Sequence, residues 1–356
     1  MKLILCGDIV PTESTTPAFE RFDCEALMGT ALPILRGGDF TIGNLECVLS
    51  DIGAPIQKCG PNLRGKAAFA EVISACGFTH LSLSNNHVMD FGIPAMRDTA
   101  QNVRNAGMTP FGFGDDDQDS RRITYIVKDG VRVALLGVCE HEYSYALPER
   151  FGANPFDPFD TMEDIAKAKK RADYVVVLYH GGKEQCEFPS PRLRKACRAM
   201  MRAGADLILC QHSHCIGCKE EYLGGTIVYG TGNFNFAKHG DLPQWHSGLM
   251  TVVDFSKKAE ISFLPVVVTD TGITLAEGEE KENILSGFES RSRMLLDEKK
   301  WLKAWRDFCD SVKETYLSAA TKSDQQVFPH YLDCEAHLDV WQTLFETWHK
   351  TGNTMK

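Results

Sequence analysis

A chain of 356 residues is long enough for one large α/β domain with an appendage, or for two domains, and 43% hydrophobic with 24% charged residues is an ordinary globular composition. The formal net charge of −10, with no cluster of Lys and Arg to offset it, excludes a nucleic-acid-binding surface, while a bound metal would still let the chain hold phosphates. No apolar run nears the roughly 18–20 residues that span a bilayer, and Met1-Lys2 leads into a strand rather than a signal-peptide core. Thirteen cysteines, an odd number scattered through strands and helices, fit reduced thiols, so a cytoplasmic location is expected.

Strands and helices alternate from the start. A strand at Leu3-Ile4-Leu5-Cys6 precedes a helical stretch over Thr16 to Leu35. Helices are expected over Lys66 to Cys76, closed by Gly77, and over Ala95 to Asn105, entered by Pro94 and left at Gly107. Lys128-Asp129-Gly130 reads as a hairpin turn between strands at Ile123–Val127 and Val131–Val138. Helices over Thr161 to Ala172 and Pro191 to Ala203 lead into apolar strands ending near His180 and His212. Strands at Thr226–Tyr229, Leu249–Phe255 and Ile261–Val268 follow without intervening helices. The hairpin and this ending argue against a purely parallel sheet and for two mixed sheets flanked by helices.

Glu277 to Glu282 reads as a charged linker, dividing residues 1–275 from a helical extension over 284–356. In that extension Trp301, Trp305, Phe308, Val312 and Tyr316 share one helix face, with a polar break at Ser323 to Gln326. The stripe is expected to pack on the core or on a second chain, and His330, His337 and His349 have no ligand spacing.

The chemistry concentrates where apolar strands stop. Cys210-Gln211-His212-Ser213-His214 ends one strand, and in extended backbone residues two apart point the same way, aiming both imidazoles at one place. The same event recurs at Gly7-Asp8, at Asn44-Leu45-Glu46, at Asn85-Asn86-His87 and at His180-Gly181-Gly182. Two carboxylates, an amide oxygen and four imidazoles are the ligand inventory of a two-metal site. Each has a plainer alternative: Asp8 as a helix cap, Glu46 as a solvated loop residue, Asn86 as a cap beside a surface histidine, Asn233 as a turn residue. Cys210, Cys215 and Cys218 offer a rival for the two histidines, a structural zinc knuckle.

In their order, Gly7-Asp8, Asn44-Leu45-Glu46, Ser84-Asn85-Asn86-His87-Val88-Met89-Asp90-Phe91-Gly92, His180-Gly181-Gly182-Lys183-Glu184, Gln211-His212-Ser213-His214 and Tyr229-Gly230-Thr231-Gly232-Asn233-Phe234 resemble the CapA family, also called the poly-γ-glutamate or capsule synthesis family. The resemblance covers about residues 1 to 270. It implies a metallophosphatase-like α/β sandwich holding divalent metal ions, two in number, drawn from Mn, Fe, Zn and Mg. The implied ligands are Asp8, Glu46 as bridge, Asn86, His180, His212 and His214. His87 is implied as the proton donor, oriented by Asp90, with Asn44, Glu184 and Asn233 near substrate or behind the ligands. Two departures from the family stand out: Cys210-Gln211-His212-Ser213-His214 replaces Gly-His-His-Pro-His, and neither the membrane anchor nor the export signal of many members is read here. The second turns the expectation away from an extracellular role. In addition, Val10 stands where phosphatase relatives usually have a histidine two residues after the aspartate. The implied function is surface-polymer biosynthesis by a phosphoesterase-like hydrolase acting on a phosphorylated, polyglutamate or glycan substrate. Its alternative is a non-catalytic assembly partner of a polymer-synthesis complex that keeps the phosphatase fold.

Overall fold

The computed structural model describes residues 1–236, 242–256, 258–321 and 327–351, with side chains to residue 346 in the last helix. The polar break expected at Ser323 to Gln326 and the side chain of His349 lie outside them. Two sheets carry the molecule. In spatial order the eight-stranded sheet runs Ile273–Leu275, Glu260–Val268, Ser247–Asp254, Lys2–Val10, Phe40–Leu45, His80–Ser82 and Thr109–Phe111, with Asn233–Phe236 pairing beside the far end of Lys2–Val10. It is parallel from Lys2–Val10 toward Thr109–Phe111 and antiparallel on the other side. The six-stranded sheet runs Lys219–Tyr222, Gly225–Tyr229, Leu207–Gln211, Tyr174–His180, Val131–Cys139 and Thr124–Lys128, antiparallel only at its two edges.

The strand sequences explain the layering. Tyr174–His180 is apolar on both faces, as a strand covered on both sides must be. Val176 and Leu178 meet Leu3, Leu5, Ile42, Leu249 and Val253 of the other sheet in one buried layer. Val175, Val177 and Tyr179 point away, onto Ile165, Leu193, Cys197 and Met200 of helices Asp160–Lys169 and Pro191–Ala203. Ile4, Cys6 and Ile9 likewise face Phe19, Leu27, Ile73 and Val103 of helices on the opposite side. The expected sandwich of two mixed sheets flanked by helices is what forms. The Lys128-Asp129-Gly130 hairpin is present, with φ 53° at Asp129 and 79° at Gly130, the positive values a two-residue turn of matching twist requires.

Two expectations change. The helix over Thr16 to Leu35 is three short ones, Thr16–Glu20, Cys24–Met28 and Leu32–Arg36. Phe22 and Gly29 take left-handed backbone at φ 58° and 45°, and Asp23 caps the second helix by accepting from Ala26 N at 2.9 Å. The Glu277–Glu282 stretch is no linker but the cap and first turn of a helix, Gly278–Leu296. Glu279 and Glu280 suit the positive end of its dipole, and Phe288 anchors it in the layer between the sheets.

Helices Glu298–Thr321, Val327–Asp333 and Glu335–Thr351 complete the chain. The aromatic stripe is packed as expected: Trp301 joins the outer layer of the six-stranded sheet and donates from Nε1 to Pro189 O at 2.9 Å, while Trp305 and Tyr316 bury against Val340, Trp341 and Leu344. No described helix is long and apolar enough to cross a membrane.

Candidate metal centre

The parallel strands deliver their carboxyl ends to one edge, where open α/β sheets place their sites. Register sets Asp8 beside Asn44 on one flank and Asn233 on the other. Asn44 joins the two sheets: its Nδ2 lies 2.8 Å from Asp8 Oδ1 and 3.2 Å from His180 Nδ1, while its Oδ1 accepts from Asn85 Nδ2 at 3.0 Å. His180 Nε2 is 2.9 Å from Asn86 Oδ1 and 3.2 Å from Glu46 Oε1. Glu46 is fully buried, and neither of its carboxylate oxygens has a hydrogen-bond partner.

His212 and His214 converge by a different route from the extended backbone expected. The strand stops at Gln211, whose side chain donates to Cys6 O at 3.1 Å, and both histidines take left-handed backbone, φ 80° and 53°. Such conformations cost about 1–3 kcal/mol each and persist only where surrounding contacts impose them. Here those contacts are explicit. Ser213 O accepts from Gln185 N at 2.7 Å, and His214 Nδ1 lies 2.9 Å from Asn233 Oδ1. The His214 ring packs 4.2 Å from that of Trp245, whose carbonyl in turn accepts from Asn233 Nδ2 at 3.0 Å. The turn sets His212 N 3.4 Å and His214 Nδ1 4.0 Å from Asp8 Oδ2.

Two overlapping groups result, Glu46 with His180 and His212, and Asp8 with Glu46 and His214, each with ligand atoms within 4.8 Å of one another. Burial governs their charge. It pushes the Asp8 carboxyl up to about 7, helped by the neighbouring Glu46, and holds Glu46 well above the carboxylate range. Burial likewise takes His180, His212 and His214 each down to about 4, so all three are neutral at pH 7, the form in which imidazole binds a metal. An orphaned buried carboxylate beside neutral imidazoles is stabilised by a cation, and these groups are compatible with metal binding.

Beside them, His87 Nδ1 lies 2.7 Å from Asp90 Oδ2, which also accepts from Leu63 N at 2.7 Å. Burial lowers the His87 pKa, with Asp90 opposing the shift and the Lys58 cation adding to it. Lys58 Nζ is 2.6 Å from Asp90 Oδ1 and 3.1 Å from His87 Nδ1. Sequence reasoning missed Lys58, which sits in a loop with no periodicity. It also missed Asn85, whose side chain accepts from His87 N and Val88 N and donates to Leu45 O, and the adjacency of Asn85 to Asn86 was its only signal.

Glu184 stays outside both groups and pairs with Lys183 at 3.7 Å. Val10 is fully buried in the apolar core and offers no ligand. Cys210, Cys215 and Cys218 are buried free thiols and belong to no ligand group among the described residues, against the zinc-knuckle alternative.

The family model described as bacterial capsule synthesis protein PGA_cap matches residues 2–238. The chain belongs to this family. Among PGA_cap relatives, the capsule biosynthesis protein CapA of Bacillus anthracis is 32% identical over 261 residues, covering 69% of this chain and 64% of that protein. The PGA biosynthesis protein CapA of Bacillus subtilis is 32% identical over 234 residues, covering 65% and 62%. A protein of Mycobacterium tuberculosis named a probable polyglutamine synthesis accessory protein is 27% identical over 203 residues, covering 53% and 50%. This PGA_cap member thus spans under two thirds of the length of each of these relatives.

Proposed function

We propose that this chain is a divalent-metal-dependent hydrolase acting on a phosphoester or similar tetrahedral centre in the making or handling of poly-γ-glutamate or another surface polymer. The observation that carries the reading is Glu46, buried and common to the two ligand groups with neither oxygen hydrogen-bonded. On this reading His180, His212 and the Asn86 amide oxygen complete one position, Asp8 and His214 the other, and Glu46 is shared. When bound, a pair of divalent cations supplies Lewis acidity that activates water and stabilises the oxygens of an in-line displacement. Asp90 orients His87 through Nδ1, leaving Nε2 to face the substrate, and the ring in its imidazolium form would give the Nε2 proton to the departing oxygen. Asn233 accepts from His214 Nδ1 from behind, and Asn44 lies between Asp8 and His180. The named roles of the CapA relatives support the polymer context, and thirteen free cysteines support a cytoplasmic setting.

Elemental analysis of protein purified without chelator, paired with turnover of a generic phosphodiester, tests the reading. About two equivalents of metal per chain and measurable turnover are expected, and Glu46→Gln should lose both. Metal without turnover in the wild type would favour the second reading, an accessory protein that keeps the fold, for which the buried Val10 in place of a ligand speaks. Absence of bound metal in both would overturn the metal centre altogether.

A further inference from the structure

The family match ends at residue 238, so the helices beyond Leu275 lie outside it, yet one of them reaches the metal centre. Helix Val327–Asp333 carries His330, a residue with no ligand spacing in the sequence, to Glu142 in the loop after strand Val131–Cys139. Glu142 sits between two imidazoles: Oε1 is 3.4 Å from His330 Nε2, and Oε2 is 3.7 Å from His212 Nε2. All three side chains are largely buried, at 8%, 12% and 6% exposure for His330, Glu142 and His212. The His330 ring is clamped, stacked at 4.9 Å on Tyr143 and edge-on at 4.7 Å to His337. Both clamps are themselves held: Tyr143 OH accepts from Cys59 N at 3.0 Å, and His337 Nδ1 lies 2.6 Å from Tyr316 OH.

The other nitrogen of His212, Nδ1, is buried and has no hydrogen-bond partner. A neutral imidazole has one N–H and one lone pair. A carboxylate facing Nε2 favours the proton there and leaves the lone pair on Nδ1, the tautomer a ligand needs. From this geometry we infer that the C-terminal helices are a positioning element for the metal centre: His330 holds Glu142, and Glu142 sets the tautomer and orientation of His212. The inference rests on the metal reading above and adds that metal affinity depends on a segment outside the family match.

Metal affinity of the full-length chain, measured with Zn²⁺ or Mn²⁺ in competition with a chromogenic chelator, tests it without reference to turnover. His330→Leu and Glu142→Ala should each weaken binding by about 10- to 100-fold. The double variant should be little worse than either single one, because the two act through one contact. His330→Gln, which keeps a donor for Glu142, should recover most of the affinity. Wild-type affinity in His330→Leu, or in Glu142→Ala should the first variant fold poorly, would overturn the inference while leaving the metal centre standing. Equal losses in His330→Gln and His330→Leu would also overturn it, reducing His330 to a packing residue. A wild-type chain that binds no metal would remove the reading beneath it, a result distinguishable from the others.

Discussion

His87 and Glu46 differ in what holds them. Neither Glu46 oxygen makes a hydrogen bond and its nearest ring is His180, whereas His87 is pinned by Asp90 and Lys58 and lies in neither ligand group. Replacing His87 by Asn should therefore leave metal content intact and slow turnover by on the order of 10²- to 10⁴-fold, and parallel loss of metal in elemental analysis would make it a ligand instead. The three ligand-group histidines also carry a pH signature. Their folded pKa values near 4 lie below the unfolded value of about 6.5, so between those limits the unfolded chain binds more protons. The contribution of these histidines to the stability of the metal-free protein should fall as pH drops from about 6.5 toward 4, against the opposite contribution of the raised Asp8 and Glu46 carboxyls. Wild type should therefore lose urea stability relative to His212→Gln over that window at fixed ionic strength, and a constant difference would refute the shift at His212.

At the scale of elements, the central strand Tyr174–His180 both fills the core and presents a site residue. Leu178 is 1% exposed in the layer between the sheets, two residues from His180. Leu178→Ala should cost about 2–5 kcal/mol in denaturant unfolding, because the packed sheets cannot fully collapse onto the void. A loss below 1 kcal/mol would mean that this layer is looser than described. The short turn after Leu207–Gln211 is the complementary case, spending backbone strain at His212 and His214 to aim two imidazoles from one strand end.

At the scale of the whole molecule, the C-terminal helices are tied to the sandwich by polar contacts as well as by aromatic packing. Glu335 accepts from His141 N at 2.8 Å and lies 2.7 Å from His141 Nδ1, while Asp339 takes Ser190 and Arg192. The hydrogen bond with Glu335 raises the His141 pKa above its ordinary value. A raised folded pKa contributes stability that is fully present below the unfolded value of about 6.5 and is lost as pH rises through the folded one. The difference in Tm between wild type and His141→Gln should thus shrink as pH is taken from 6 to 9, and a difference constant across that range would refute the ion pair.

Sequence periodicity alone was enough to establish the alternation of strands and helices, the two mixed sheets and the hairpin at Asp129-Gly130, because burial on one or both faces of an element writes itself into local spacing. The ligand-type residues were legible for the same reason: an apolar run that is interrupted at Asp8, or stops at His180 or His212, is a local signal, although the first strand runs on past Asp8 to Val10. Tertiary structure decided what is non-local. The break of Thr16–Leu35 into three helices depends on left-handed turns at Phe22 and Gly29, and the helix at Glu277–Glu282 depends on Phe288 finding the layer between the sheets. Lys58 beside His87, and His330 beside Glu142 and His212, join residues far apart in the chain that carry no shared spacing. Periodicity reports which face of an element is buried, and only packing determines which distant side chains meet there.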